Sequence, residues 1–164
     1  MVNIKQFSEL LIIPVLVCTW TGQASAQSAS VEVLEHGEYL LRISGCNDCH
    51  TPGYIQTEGQ VGIESWLTGD ILGWRGPWGT TYAPNLRLLL PGMTEQQWLA
   101  YAKSLKVRPP MPWFNLNKMK DEDLIAIYQF VVHLGPAGEP APDYLPPEKE
   151  PPLPYFTILA PPPE

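Results

Sequence analysis

Residues 45–50 read GCNDCH, which sets Cys46, Cys49 and His50 at i, i+3 and i+4. On one helical turn these positions project from neighbouring points of one face. Whatever the three side chains hold must therefore lie against that turn, and the rest of the chain has to fold around it.

The beginning of the chain bears on what that could be. Lys5, an apolar run from Leu10 to Val17 and ASA at residues 24–26 follow the order of a secretory signal, with cleavage expected after Ala26. The apolar run is shorter than the roughly 20 residues a spanning helix needs; an uncleaved amphipathic anchor is the alternative. Lipidation at Cys18 is disfavoured, because Leu16 and Val17 before it lack small side chains. Removal of residues 1–26 leaves Cys46 and Cys49 as the only cysteines and places the chain in the periplasm, an oxidising compartment where disulfides are the default. A bridge across two residues, however, constrains the unfolded chain very little. Zinc wants four ligands, and only His36 and His133 remain to complete such a set. A thioredoxin-like pair belongs in a βαβ setting, and none is legible. C-x-x-C-H is also the attachment signature of c-type haem. Two thiols on that turn can add to the two vinyl groups, and the adjacent imidazole can reach the iron as proximal ligand. One covalent haem c on Cys46, Cys49 and His50 is the expectation.

The chain is organised in a way that suits a buried prosthetic group. Residues 30–44 have helical spacing, with Leu34, Tyr39, Leu40 and Leu41 supplying an apolar face. Gly37 interrupts them, either as a tolerated glycine or as a place where another helix comes very close. Residues 53–92 are punctuated by Gly and Pro, which argues against long regular elements. They carry Trp66, Trp74 and Trp78, a large apolar load that a buried haem would give something to pack on. MTEQQWLAYAKSL predicts a helix with a Thr94/Gln97 capping box and a buried stripe of Trp98, Leu99, Ala102 and Leu105. Pro109, Pro110 and Pro112 then forbid helix. DEDLIAIYQFVVHL predicts the last helix, its acidic first turn matched to the helix dipole. From residue 136 to 164 eleven of 29 residues are proline, which predicts an extended tail or polyproline strap with no core of its own. No strand alternation of useful length and no internal repeat are visible. The expected division is a signal over 1–26, one domain over 27–135 and the tail over 136–164.

A second ligand to the iron would be sought among Met93, Met111, Met119 and His133. Met93 precedes a helix cap and Met119 sits at the start of the last helix. Met111 lies in RPPMPW, where prolines restrain the loop entropically; filling a gap in the core is its alternative role.

At these residues the chain resembles class I monohaem cytochromes c, most of all the small exported bacterial ones. GEYLL and CNDCHT resemble the family's first helix and attachment site, and PPMPW followed by DEDLIAIYQFV its methionine loop and last helix. The resemblance implies an all-α fold, three to four short helices around a covalently bound haem, with the first and last helices crossing at Gly37. It implies His50 and Met111 as axial ligands. It also implies propionate contacts from the middle loop, for which Arg75, Trp78, Tyr82 and Asn85 are candidates.

The function expected on these grounds is single-electron transfer for an exported dehydrogenase, oxidase or respiratory complex, without catalysis by the chain itself. The alternatives are a haem enzyme or sensor with an open distal site, and a tethered electron-accepting subunit of a dehydrogenase complex. A net charge of −7 makes the chain a poor general nucleic-acid binder; membrane association stays open. The charge is unevenly spread. Between Glu95 and Asp121 there is no carboxylate, while Lys103, Lys106, Arg108, Lys118 and Lys120 fall in that interval with Met111. A redox partner presenting an acidic patch would meet such a collar.

Overall fold

The computed structural model describes residues 29–159, so the signal sequence and the cleavage after Ala26 lie outside the described residues. Helix α1 (Val31–Ile43) starts at Ser30, whose hydroxyl accepts from the Val33 N–H. α2 (Cys46–His50) follows after a left-handed Gly45. α3 (Leu86–Leu89) is capped by Asn85. α4 (Glu95–Ser104) carries the expected capping box, with the Thr94 and Gln97 side chains satisfying each other's backbone N–H groups. α5 (Trp113–Leu116) is a single turn, and α6 (Asp121–Leu134) opens on three acidic residues. Among the described residues no helix is long and apolar enough to cross a membrane.

The all-α expectation is corrected. β1 (Gly73–Gly76) and β2 (Gly79–Thr81) form an antiparallel hairpin, and β3 (Tyr155–Thr157) pairs parallel to β1, giving a mixed sheet in the order β2-β1-β3. Strands of three or four residues are too short to show a period of two. β3 comes from the proline-dense segment, so part of that segment belongs to the sheet. The helical segments also number six among the described residues, more than the three or four expected.

α1 and α6 cross at Gly37. A Cβ there would lie 2.3 Å from the Ala126 carbonyl oxygen and 2.8 Å from the Phe130 Cβ, so the close-approach role of this glycine is the one realised. His36, beside the crossing, bonds Asp123 of α6 at 2.8 Å. The core gathers Leu40 and Leu41 of α1, Leu90, Trp98 of α4, and Leu124, Ile127, Phe130 and Val131 of α6. Trp98 donates its Nε1–H to the Leu124 carbonyl at 2.8 Å. Trp66 is part of this core, not of a cofactor wall. It packs against Tyr54 and Phe130, lies under the Arg42 guanidinium, and donates to the Val61 carbonyl.

Candidate functional site

α2 is one helical turn, and it presents Cys46, Cys49 and His50 to a single cavity. The turn is lashed from behind. Thr51 donates its hydroxyl to Asn47 Oδ1 at 2.7 Å and accepts from the Leu67 N–H at 2.8 Å. The Gly69 N–H donates to the His50 carbonyl at 2.9 Å.

His50 is 6% exposed, and its Nδ1 lies 2.8 Å from the Pro84 carbonyl oxygen. A carbonyl only accepts, so Nδ1 must carry the proton, and Nε2 keeps a free lone pair. Burial lowers the imidazole pKa and so favours that neutral form. An imidazole held by one nitrogen to a backbone carbonyl, with the other nitrogen free, is the usual preparation of a metal ligand.

Burial, with the Asp48 carboxylate adding to it, pushes the Cys46 thiol up to about 11. The Cys49 thiol is raised by the same two causes in the same order. An attacking redox cysteine needs the opposite shift, so the pair is unsuited to thioredoxin-like exchange.

The cavity runs from α2 past α1, the β1–β2 hairpin, α3 and α4 to the loop 105–112. Its wall is mainly apolar: Leu41, Leu86, Leu89, Leu90, Leu105 and Ile127 contribute. Met111 lines the same cavity as His50. Met93 and Met119 do not line it, and His133 is exposed on α6.

Four donors in or beside the hairpin are buried without a partner: Trp74 Nε1, Trp78 Nε1, Thr80 Oγ1 and Tyr82 Oη. Trp74 and Tyr82 line the cavity. Buried donors are seldom left unmade, since each orphan costs about 1–3 kcal/mol. An anionic group in the cavity would satisfy the two that line it, Trp74 and Tyr82. The residues present therefore fit a haem: two thiols and an imidazole on one turn, an apolar surround, and donors suited to carboxylates.

Of the four propionate candidates, Tyr82 and Trp78 are among these unpartnered donors. Arg75 is engaged by Glu150 at 2.9 Å and by the Lys149 carbonyl at 3.1 Å. Asn85 gives its amide to the carbonyls of Ala137 and Glu139. Trp74 was missed; nothing local in the sequence marks an indole N–H that lacks a partner in the fold.

The five cations divide. Lys103 pairs with Asp121 at 2.9 Å and Lys120 with Glu122 at 3.5 Å. Arg108 lines the cavity and stacks on Tyr144, 3.9 Å above the ring. Lys106 and Lys118 are exposed and form no ion pair among the described residues.

Comparison with curated proteins finds the cytochrome c subunit of a quinone alcohol dehydrogenase from Gluconobacter oxydans (strain 621H), 29% identical over 126 residues. The similarity supports a cytochrome c-like protein. It covers 68% of this chain and only 23% of that protein, and it does not single out the class I monohaem type. No family model and no solved structure matches.

Proposed function

We propose that this chain is an exported electron carrier holding one haem c. The observation that carries the reading is that Cys46, Cys49, His50 and Met111 all line one largely apolar cavity. When bound, the haem would supply a one-electron iron couple. Cys46 and Cys49 would hold it through thioethers, and His50 would ligate through Nε2, oriented by the Pro84 carbonyl. Met111 would supply a second ligand to the iron, and Trp74 and Tyr82 would donate to the carboxylates. The apolar wall excludes water, and burial of this kind tunes a potential. With His50 and Met111 both holding the iron, the chain would leave no place for a substrate; an enzyme or sensor with an open distal site would need Met111 elsewhere.

The partner we propose is a dehydrogenase, a reading supported by the name of the similar protein, a dehydrogenase cytochrome subunit. Lys106 and Lys118 would face an acidic patch on that partner. The periplasm is the proposed location, with cleavage after Ala26.

Acid–acetone extraction tests the covalent bond: the haem should stay with the protein. Haem leaving with the solvent would overturn the roles of Cys46 and Cys49. Met111→Ala should abolish the methionine–iron charge-transfer band, lower the potential and admit carbon monoxide, with Met93→Ala and Met119→Ala doing much less. An unchanged spectrum in Met111→Ala would remove Met111 from the iron.

A further inference from the structure

We propose that residues 136–157 are a clasp that locks the two lips of the cavity to each other, with Tyr144 as its positioning residue. The proposal deepens the cofactor reading and rests on it for its functional consequence.

One lip is the hairpin β1–β2, whose Trp74 and Thr81 line the cavity with neighbouring Tyr82. The other is the loop 105–112, which contributes Val107, Arg108 and Met111. The lips touch through one hydrogen bond, from the Thr81 hydroxyl to the Pro109 carbonyl at 2.8 Å. Tyr144 bridges them a second time. Its hydroxyl donates to the Trp78 carbonyl at 2.9 Å, and its ring lies under the Arg108 guanidinium. One side chain thus holds the turn of the hairpin and the residue three before Met111.

The clasp is pinned along its length. Asn85 holds its start by the carbonyls of Ala137 and Glu139. Leu145 exchanges both backbone hydrogen bonds with Thr80, at 2.7 and 3.0 Å. Gly79 makes room for this: its φ is +97°, and a Cβ there would lie 2.3 Å from the Leu145 carbonyl oxygen and 2.9 Å from the Tyr144 ring. Farther on, Arg75 holds Lys149 and Glu150, and Phe156 packs on Trp74 with ring centroids 5.4 Å apart.

The composition suits the task. Proline-dense chain is extended and loses less entropy on being fixed than an ordinary segment. It needs no core of its own when its contacts are made to the hairpin, the loop and Asn85. The placement of Met111 relative to the hairpin donors is then set partly from outside the cavity, by Tyr144.

The test compares Tyr144→Phe, which deletes only the bond to Trp78, with Tyr144→Ala, which deletes ring and hydroxyl together, both in the full chain. Amide hydrogen exchange reads the clasp without cofactor chemistry. Tyr144→Phe should speed exchange in residues 73–82 about fivefold, the factor carried by one net hydrogen bond, and leave Val107, Arg108 and Met111 as they were. Tyr144→Ala should speed both segments. Carbon monoxide binding to the reduced protein reads the positioning: Tyr144→Ala should admit it faster than wild type, Tyr144→Phe should stay near wild type, and helix unfolding should move little. Unchanged exchange in Tyr144→Ala overturns the clasp. Raised exchange with unchanged carbon monoxide binding overturns the positioning role. A wild-type chain without covalent haem overturns the cofactor reading instead, and the exchange data still decide the clasp.

Discussion

Gly37 of α1 sits against the backbone of Ala126 in α6, so close that a Cβ on Gly37 would come within 2.3 Å of the Ala126 carbonyl oxygen. The obstacle is backbone in the middle of a helix, with no flexible end to swing aside. Gly37→Ala gains about 1 kcal/mol in helix propensity. Forcing a methyl into a packed contact costs roughly 1–3 kcal/mol, sometimes more. The contact should win. Denaturant unfolding is expected to show a net loss of about 1–2 kcal/mol; a stabilised variant would mean the helices are not this close.

Tyr82→Phe should change sign with the cofactor. The Tyr82 hydroxyl is buried and unpartnered in the protein alone. Without haem its removal relieves an unsatisfied donor, so stability should hold or rise. With haem bound the same removal takes a donor from a carboxylate. The uncompensated negative charge then favours the oxidised iron, and the potential should fall. One net hydrogen bond of about 1 kcal/mol corresponds to at most about 40 mV for a one-electron couple. Redox titration of the holoprotein and thermal melting of the haem-free chain check the two halves.

Arg87 is 4% exposed and has no carboxylate partner among the described residues. Carbonyl oxygens accept instead: Glu64 at 3.2 Å and Trp66 at 3.4 Å from one segment, and Leu134 and Gly135 at the end of α6. The last two stand at the negative end of the helix dipole, which favours a cation. Arg87→Met would strand several buried acceptors at about 1–3 kcal/mol for each one truly orphaned. A loss of about 3 kcal/mol is expected, and Arg87→Lys should recover only part of it, since one ammonium cannot span two segments as a guanidinium does. Equal stability of Lys and wild type would show that charge alone matters there.

What could be read in the sequence followed from how local each feature is. α4 and α6 were legible because a 3.6-residue period, a Thr94/Gln97 box and an acidic first turn all act within a few residues. The CNDCH turn was legible by spacing, and the interest of Met111 by the prolines around it. The sheet was not: β1 and β2 are too short for alternation, and β3 pairs with β1 across most of the chain. Trp74 and Trp66 illustrate the same limit. One lines the cavity and the other is core, yet nothing in their neighbouring residues distinguishes them. The strap reading of the tail could not be resolved from sequence because its contacts, Tyr144 to Trp78 and Leu145 to Thr80, are made with a hairpin about 65 residues away.

The cations near the cavity yield the last prediction. Lys103 and Lys120 are paired and Arg108 is stacked, which leaves Lys106 and Lys118. Both are exposed; Lys106 stands between Leu105 and Val107, which line the cavity, and Asn117 next to Lys118 donates to the carbonyls of Ala102 and Leu105. In a chain of net charge −7, these are two exposed cations close in sequence to residues that line the cavity. An acidic partner would be oriented by them, and such steering raises association rates by about ten- to a thousandfold at low salt. Lys106→Glu together with Lys118→Glu should slow second-order electron transfer about tenfold at low ionic strength. The visible spectrum should not change, and the difference from wild type should fade as salt shortens the screening length. Stopped-flow mixing with the reduced partner across an ionic-strength series measures this, and rates indifferent to both salt and the reversals would reduce the two lysines to solvated surface.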